Sequence, residues 1–379
     1  MKALRIHAFG SPDSPAFEEI PWPEPGPGEV LVRVKAASVN PLDLKILAGE
    51  KQAAFPISFP YTLGTDVAGV VAAVGEDVAD LRHGDRVVGR LDPKAGGAFA
   101  QFARVSASTL QLVPESLDLS RAAALPTAAG TAFQALIRAG QLTHGQRVLI
   151  HAGAGGVGSF AVQFAKQAGA FVIATASTHN LALVRKLGAD RVIDRSHEDF
   201  TQCVSDVDLV LDTRGAETLE RSWSIVKPGG RVVSIVDPQI RPRDGVHAQF
   251  ATIQHEPVTL LALLQRVANG GLEVLIDSSF TLDDAPAALA RVALGHAVGK
   301  VLIRMPECRS DRPSRASPVP IASHRFSHEE FVSRRHLRRR DLALFRRRRS
   351  RRRRSRGRRV VLQAAAERHD QPRAAGAHE

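Results

Sequence analysis

The sequence of 379 residues lacks several common features. It contains only two cysteines, Cys203 and Cys308, so it can form one disulfide bond at most and cannot build a zinc site of four thiolates. No stretch has the roughly 18 consecutive apolar residues of a membrane-spanning helix, and no N-terminal segment resembles a signal peptide. We therefore expect a soluble, cytoplasmic protein that has no membrane partner.

Two hydrolase motifs are also absent from the chain. Neither the nucleophile motif G-x-S-x-G nor the zinc-binding motif H-E-x-x-H occurs, and the 14 histidines are scattered. The sequence therefore gives no support to a serine hydrolase or a metalloprotease.

Basic charge is unevenly distributed. Residues 306–379 contain 22 arginines, no lysine and 8 acidic residues, whereas residues 1–305 contain 29 basic and 31 acidic residues. The arginine runs at 334–340 and 346–359 repel themselves, which predicts a disordered tail. Such a tail can bind nucleic acid by counterion release, but only Phe345 offers base stacking among the arginines. We favour a reading-frame extension of a GC-rich gene and expect no nucleic-acid partner apart from this tail.

A glycine-rich stretch at 147–169 is the clearest functional motif. An apolar run at 148–150 is typical of a buried parallel strand, and apolar residues at helical spacing follow the glycines. The spacing G-x-G-x-x-G allows a tight turn, close approach of a pyrophosphate, and close packing of helix on strand. This pattern predicts a dinucleotide site whose phosphates lie at a helix N-terminus, formed by Gly153, Gly155, Gly156, Val157 and Gly158.

The two halves of residues 1–305 differ in the pattern of their apolar residues. Residues 30–36 alternate between apolar and polar, and short strands predict a small barrel or sandwich in the first half. From about residue 120, strands alternate with helices, which indicates an α/β fold with a doubly wound parallel sheet. Strands at 232–236, 272–276 and 300–303 and helices at 260–268 and 285–294 are expected towards its end.

Seven segments of residues 1–305, in this order, resemble the zinc-independent quinone oxidoreductases of the medium-chain dehydrogenase/reductase superfamily. They lie at 38–50, 63–75, 124–136, 151–170, 184–194, 211–236 and 295–305. The resemblance implies a homodimer and an active site in the cleft between a GroES-like β-barrel and a Rossmann domain. It also implies a catalytic domain at 1–123, an NADP-binding domain at 124–258, and a return to the catalytic domain at 259–305, followed by the tail at 306–379.

The expected absence of a metal rests on particular residues. Zinc-dependent relatives have a cysteine where this chain has Asn40, and G-H-E where it has Gly64, Thr65 and Asp66. Without the thiolate and the imidazole, a catalytic site of three ligands cannot form here.

NADPH is the expected cofactor. An NAD-selective site has an acid about 20 residues beyond the glycines, but residues 173–180 contain no carboxylate. Ser177, His179, Asn180 and Arg195 can instead bind a 2′-phosphate, and a polar loop with no phosphate preference is the alternative. Relatives are expected to have arginine or lysine at 179, so a titrating His179 predicts weaker or pH-sensitive selectivity.

By the same resemblance, four residues line the nicotinamide end of the site. They are Asn40, Asp43, Thr127 and Thr131, of which Asn40 offers an amide donor and Thr131 a hydroxyl for the carboxamide. Asn-Pro also begins turns, and threonine and aspartate also cap helices. For Asp43, capping and catalysis are equally good interpretations.

Three further residues complete the predicted site. Tyr61, the only tyrosine, is the candidate proton donor, although a core aromatic is the favoured interpretation. Lys300 either contacts a cofactor phosphate or is a surface lysine at the start of the last strand. Val236, at the end of a matching segment, is expected beside the cofactor.

The sequence thus predicts an NADPH-dependent oxidoreductase that passes hydride to a quinone or an α,β-unsaturated carbonyl compound. Two alternatives remain open: an enoyl-thioester reductase, and a nucleotide-sensing RNA-binding protein that uses the basic tail. The segments 45–61 and 237–257, which have no readable motif, are expected to line the substrate pocket.

Overall fold

The computed structural model describes residues 1–254 and 256–305. The predicted disordered tail at 306–379 lies outside the described residues. The strands are β1 (Lys2–Ile6), β2 (Ala16–Glu19), β3 (Glu29–Val39), β4 (Tyr61–Thr62), β5 (Asp66–Val74), β6 (Arg86–Arg90), β7 (Phe102–Ser106), β8 (Leu110–Leu112), β9 (Arg147–Ile150), β10 (Phe171–Ala176), β11 (Arg191–Asp194), β12 (Val207–Asp212), β13 (Val226–Ser234), β14 (His247–Phe250), β15 (Ile276–Thr281) and β16 (Lys300–Arg304).

The helices lie mainly in the second half of the described chain. Helix α3 (Pro126–Phe133) continues directly into a π-helical segment, Gln134–Ala139, and such segments often occur near functional sites. The α-helices are α1 (Pro41–Leu47), α2 (Leu119–Ala123), α3 (Pro126–Phe133), α4 (Gly156–Gln167), α5 (Leu181–Lys186), α6 (Phe200–Cys203), α7 (Ala216–Ser222), α8 (Pro257–Ala268) and α9 (Ala285–Ala293).

The first half is built on antiparallel strands, as its period-two patterning predicts. One sheet has the order β15-β16-β3-β5-β6-β8, with β7 also paired to β3, and a second has the order β2-β1-β4. Strands β15 and β16, from the end of the described chain, complete the first sheet, and their mutual pairing is parallel. Their inward side chains form one apolar core that includes Val32, Val67, Val87 and Phe99. These sheets form the predicted GroES-like domain.

The second half is a doubly wound parallel sheet with the strand order β11-β10-β9-β12-β13-β14. Every neighbouring pair in it is parallel. The order reverses direction between β9 and β12, and ligands of such sheets bind outside the carboxyl ends of the strands at that point. The fold class predicted from the sequence is therefore confirmed, and the glycine motif follows β9 at the expected place.

Apolar helix faces cover both sides of this parallel sheet. Helix α4 buries Phe160, Ala161 and Phe164 on one side, in a core that α3 and α8 share. On the other side, Leu149, Ile173 and the residues around them form a separate core. The division of the chain at residues 123 and 258 stays a prediction, but the last strand, β16, pairs with β3 of the first half.

Three elements differ from the sequence prediction. No strand forms at 272–275: Leu272 and Val274 are buried in the core, and the Gln163 side chain binds both the N–H and the carbonyl oxygen of Glu273, which satisfies that backbone without a strand partner. Strand β13 begins at Val226 rather than at 232. The edge strand β14 was not predicted, because its half-exposed residues carry no apolar run.

Candidate active site

The predicted glycine turn joins β9 to α4. Gly155 is the N-cap residue in extended backbone, and the helix begins at Gly156. A Cβ atom on Gly158 would lie 2.1 Å from the Ala152 carbonyl oxygen, so only glycine fits there. The first N–H groups of a helix, here including those of Gly156 and Val157, have no acceptor within the helix. They form a site that suits an anionic group such as a pyrophosphate.

Two other close approaches fix this turn. A Cβ on Gly153 would lie 2.9 Å from the Cβ of Ala174 on β10, so the turn sits directly against the neighbouring strand. Gly299, just before β16, donates its N–H to the Ala154 carbonyl at 2.9 Å. The start of β16, which belongs to the first half's sheet, is thereby attached to the glycine turn.

A cavity of about 260 Å³ opens beside the turn, at the carboxyl ends of the parallel strands. Three of the predicted adenosine-end residues, Ser177, Asn180 and Arg195, line this cavity. The Asn180 amide donates to the Ser177 hydroxyl at 3.0 Å. His179 is not among the lining residues and its side chain is exposed. The cavity thus brings together three of the four residues predicted for the 2′-phosphate.

Sequence reasoning missed several residues of this cavity. Arg214 follows β12 at the topological switch point, and His296 lies in the loop before β16. The N–H groups of Arg214 and Gly215 both donate to the buried carboxylate of Asp212, which shapes the loop that carries Arg214. The position after the fourth strand of the parallel sheet was the signal that could have identified Arg214.

His151 forms part of the cavity floor. Its side chain is 1% exposed, and its ring packs edge-on against Phe200 with centroids 4.9 Å apart. The Ser222 hydroxyl donates to the Thr218 carbonyl at 2.6 Å, so it accepts from the Nε2–H of His151 at 2.9 Å. Burial lowers the pKa of His151 to about 4. The imidazole is therefore neutral near pH 7 and serves as a fixed wall.

Val236 lies just beyond β13, outside the lining of this cavity. Its N–H lies 3.2 Å from the Ser234 hydroxyl oxygen, and a Cβ on Gly215 would approach its Cγ2 atom to 3.0 Å. Val236 is thus at the carboxyl edge of the parallel sheet, against the loop of Arg214. Its contact with a cofactor stays a prediction.

A second set of predicted residues forms a buried polar cluster. Asn40 donates from its amide nitrogen to Asp66 at 2.9 Å, and both side chains are almost fully buried. Asp66 also accepts from the Ser38 hydroxyl at 2.9 Å and from the Thr127 hydroxyl at 2.7 Å. Thr127 is at the start of α3, so Asp66 joins β3 and β5 to that helix.

Lys300 completes the cluster, and its position corrects one of the two interpretations made from the sequence. It is not a surface lysine, because it is only 4% exposed. Its ammonium group donates to the Val39 carbonyl at 2.9 Å and to the Asn40 amide oxygen at 2.5 Å. Burial lowers the pKa of Lys300, whereas the nearby carboxylates of Asp66 and Asp43 raise it. The prediction of a phosphate contact finds no support in these bonds.

Asp43 adjoins this cluster from the first turn of α1. Its carboxylate accepts the Asn40 N–H at 2.8 Å and the Thr65 hydroxyl at 3.3 Å. Burial raises its pKa to about 7, and the Asp66 carboxylate adds to the shift, while the Asn40 N–H and Lys300 oppose it. The bond to the Asn40 N–H is a helix-capping contact, as one of the two interpretations predicted. A catalytic role stays untested.

The other two residues predicted to take part in the reaction, Tyr61 and Thr131, have different surroundings. The Tyr61 hydroxyl is buried and donates to the Pro93 carbonyl at 2.8 Å, and burial raises its pKa, with Asp43 and Asp92 adding to the shift. Tyr61 therefore has the contacts of a core aromatic. Thr131, on the face of α3 that also carries Thr127, is 9% exposed, and within residues 1–254 and 256–305 its hydroxyl has no hydrogen-bond partner.

A smaller cavity of about 50 Å³ adjoins α3. It is lined by Arg90, by Gly130 of α3, and by Ile253 in the segment predicted to form the substrate pocket. The Gln134 side chain binds both the N–H and the carbonyl oxygen of Gln254, at 2.7 and 2.8 Å. This pair of bonds holds the 251–254 segment against the helix that carries Thr131.

Residues 1–254 and 256–305 show neither a metal-binding cluster nor a membrane-spanning helix. They contain no group of three or more histidine, cysteine, aspartate or glutamate side chains that could hold a metal ion. None of their helices is long and apolar enough to cross a membrane.

Comparison with known families gives two matches. The family described as "Alcohol dehydrogenase GroES-like domain" matches residues 26–115, and the family described as "Zinc-binding dehydrogenase" matches residues 187–303. The first match covers most of the antiparallel half. The second begins in the parallel sheet and ends in β16.

Individual relatives cover almost the whole described chain. The chain is 33% identical over 322 residues to the chloroplastic quinone-oxidoreductase QR1 of Triphysaria versicolor. The alignment covers 80% of this chain and 98% of that relative. It is 34% identical over 314 residues to the chloroplastic NADPH-dependent alkenal/one oxidoreductase of Arabidopsis thaliana. That alignment covers 80% of this chain and 79% of the relative. The solved structure of the quinone oxidoreductase from Coxiella burnetii has a TM-score of 0.76 and 33% identity, and covers 80% of this chain and 99% of that one.

Proposed function

The chain belongs to the quinone oxidoreductase-like group of the medium-chain dehydrogenase/reductase superfamily, and we propose from that premise that it is an NADPH-dependent reductase of quinones or α,β-unsaturated carbonyl compounds. The resemblance found in the sequence is thereby confirmed at the level of the family. One observation carries the proposal: Gly299 binds the glycine turn, and the next residue, Lys300, binds Asn40. A phosphate cradle and a buried polar cluster are thus adjacent parts of one site.

The glycine turn fits the pyrophosphate of a dinucleotide. The backbone of the turn is bare, because Gly153 and Gly158 have no space for a side chain, and the N-terminus of α4 favours negative charge. With its phosphates here, a dinucleotide would be held by the residues of the 260 Å³ cavity at one end and by those of the cluster around Asn40 at the other.

NADPH rather than NADH is proposed because of the charges around the cavity. Three arginines line it, Arg195, Arg214 and Arg221, together with two carboxylates, Glu198 and Asp199, of which Asp199 is bound to Arg221. The side chains of residues 177–180 are two hydroxyls, an imidazole and an amide, with no carboxylate. A carboxylate would accept hydrogen bonds from a free ribose hydroxyl and repel a 2′-phosphate. Three arginines against two carboxylates leave the lining with an excess of positive charge, which supports the phosphorylated cofactor.

The cofactor, when bound, would supply the hydride, and the residues of this chain would position the cofactor and the acceptor. Thr131 offers a hydroxyl without a partner among the described residues, which suits the nicotinamide carboxamide. Asn40 is held rigidly by Asp66 and Lys300, which reduces the rearrangement needed when substrate binds.

The proton for the reduced acceptor is proposed to come from water. The Tyr61 hydroxyl is bound to Pro93 in the core, so we do not retain it as the donor. Quinones and enones can take up a proton from solvent after the hydride has arrived, so no dedicated acid is required.

The reaction is proposed to use no zinc, although one matching family is described as zinc-binding. Asn40 and Thr65 stand where zinc-dependent relatives have a thiolate and an imidazole. Amide and hydroxyl groups are poor ligands for Zn²⁺ compared with thiolate and imidazole, and the Asn40 amide is already bound at both ends.

The test is a panel of acceptors with both dinucleotides. Oxidation of NADPH is measured with a small quinone, a simple enone and a crotonyl thioester, each repeated with NADH, and dinucleotide binding is measured by calorimetry. We expect faster turnover of the quinone or the enone with NADPH. A preference for the thioester supports an enoyl-thioester reductase instead, and failure of both dinucleotides to bind overturns the proposal.

A homodimer is proposed on the basis of the family resemblance alone, and a cytoplasmic location is proposed separately, from the low cysteine count of the sequence. Light scattering of the purified protein gives its mass in solution. A mass of one chain at micromolar concentration contradicts the dimer.

A further inference from the structure

The ammonium group of Lys300 is committed to the buried cluster. Its stem passes the first residue of α4, since a Cβ on Gly156 would lie 3.3 Å from the Lys300 Cδ atom. Beyond that point the ammonium donates to the Val39 carbonyl and to the Asn40 amide oxygen. Lysine has three donors and no acceptor, so the bond to the amide oxygen fixes which way the Asn40 side chain faces.

Fixing Asn40 has consequences further along the cluster. With its oxygen on Lys300, Asn40 presents its NH₂ group to the Asp66 carboxylate at 2.9 Å. The other carboxylate oxygen of Asp66 accepts the Thr127 hydroxyl at 2.7 Å, and the Thr127 N–H lies 3.3 Å from Asp66. The chain of bonds therefore ends on the first turn of α3.

Thr131 lies one turn beyond Thr127 on the same face of α3, because residues four apart on a helix are neighbours. Its hydroxyl has no hydrogen bond within the part of the chain that the structure describes, whereas the side chains of Asn40, Asp66 and Thr127 are bound to one another. Thr131 thus has a hydroxyl without a partner among the described residues, and the bonds between Asn40, Asp66 and Thr127 fix the helix that carries it.

We propose that Lys300 is a positioning residue for hydride transfer: acting through Asn40, Asp66 and Thr127, it sets the place of the Thr131 hydroxyl at the nicotinamide end. The inference rests on the proposed function. It assigns Lys300 to the geometry of the reaction and not to the binding of a cofactor phosphate. The carboxyl groups of Asp66 and Asp43 near the ammonium offset part of the cost of burying its charge, without a phosphate partner.

The two roles of Lys300 predict different kinetics. In Lys300→Met, loss of positioning should lower the single-turnover rate of NADPH oxidation by roughly 10- to 100-fold and leave the Kd of NADPH within about threefold of the wild-type value. The primary isotope effect with deuterated NADPH should also become more dependent on temperature. Lys186→Met, at an exposed ion pair with Glu273, is the matched control and should change none of these quantities.

A tenfold or larger rise in the Kd of NADPH with an unchanged rate would show a phosphate ligand and overturn the inference. Wild-type values for rate, Kd and isotope effect in Lys300→Met would also overturn it. If the wild-type protein binds no dinucleotide, the proposed function fails and the inference fails with it. A functional wild-type enzyme with an unaffected variant refutes the inference alone.

A second variant covers the case in which Lys300→Met does not fold. Thr127→Val keeps the side-chain shape, removes the hydroxyl at the other end of the chain of bonds, and leaves Lys300 and Asn40 in place. It should lower the single-turnover rate roughly three- to tenfold without changing the Kd of NADPH. Where both single variants fold, the double variant should be no slower than Lys300→Met. Multiplied losses, or an unchanged rate in Thr127→Val, contradict a connected path.

Discussion

Gly158 lies so close to Ala152 that a Cβ atom on the glycine would be 2.1 Å from the alanine carbonyl oxygen. The contacted oxygen is a backbone atom, which cannot rotate away from the new Cβ as a side-chain atom can. Gly158→Ala should therefore force the start of α4 away from the turn, reduce the free energy of unfolding by about 1–3 kcal/mol, and weaken NADPH binding at least tenfold. Urea unfolding and calorimetry measure the two effects.

Gly271→Ala is the control for that substitution. The nearest atom to its added Cβ would lie 3.5 Å away, an ordinary contact distance. It should leave both stability and binding nearly unchanged. Wild-type affinity in Gly158→Ala would show that the turn has more freedom than this contact allows.

The glycine turn also shows what the sequence could predict. Tight turns, buried parallel strands and amphipathic helices leave local patterns, so β9, the turn and α4 were predicted at their observed places. Arg214 has no such pattern around it. Its place in the cavity depends on which strand neighbours β9, and that is set by long-range pairing between β9 and β12.

Lys300 is a clearer example of this limit. Its position at the start of the last strand was predicted, but its surroundings were not. Strand β16 pairs with β3, which brings Val39 and Asn40 to a residue 260 positions further along the chain. A lysine is usually exposed, so no local signal could indicate that this one is buried beside an amide oxygen.

The lining of the cavity predicts how cofactor choice can be changed. Removal of Arg195 takes away a cation beside Ser177 and Asn180, the proposed place of the 2′-phosphate. A hydrogen bond to a charged group contributes about 1.5–3 kcal/mol, so Arg195→Ala should raise the KM of NADPH by roughly 10- to 100-fold. The kcat/KM with NADH should change less than threefold.

Arg185→Ala, an exposed arginine of α5 outside the cavity, controls for the loss of surface charge. Steady-state kinetics with both dinucleotides compare the two variants. Equal losses with NADPH and NADH in Arg195→Ala would contradict a role in phosphate recognition.

Gln134 predicts a coupling between stability and acceptor binding. Its side chain binds the N–H and the carbonyl oxygen of Gln254, which holds the 251–254 segment on α3. Gln134→Met keeps the length of the side chain but leaves two backbone groups without a partner, at a cost of about 1–3 kcal/mol. Thermal unfolding should show this loss, and the KM of the quinone or enone should rise while that of NADPH stays the same.

Gln202→Met, at an exposed position of α6, is the matched control. It should change neither the unfolding midpoint nor any KM. An acceptor KM unaffected by Gln134→Met would mean that the 251–254 segment does not border the acceptor.

Asp43 predicts a dependence of stability on pH. Its pKa in the folded protein is about 7, raised from 3.8 by burial with the Asp66 carboxylate beside it, so the folded state holds a proton that the unfolded state has already released above about pH 4. The stability contributed by the neutral carboxyl group is therefore present below pH 4 and is lost as pH rises to 7.

Asp43→Asn cannot ionise and still offers an oxygen to the Asn40 N–H. The stability of this variant relative to the wild type should rise between pH 4 and 7, by about 4 kcal/mol at most. Urea unfolding at half-unit pH steps measures the difference, with the exposed Asp13→Asn as control. A difference that stays constant over this range would show that Asp43 is already ionised in the folded protein at pH 4.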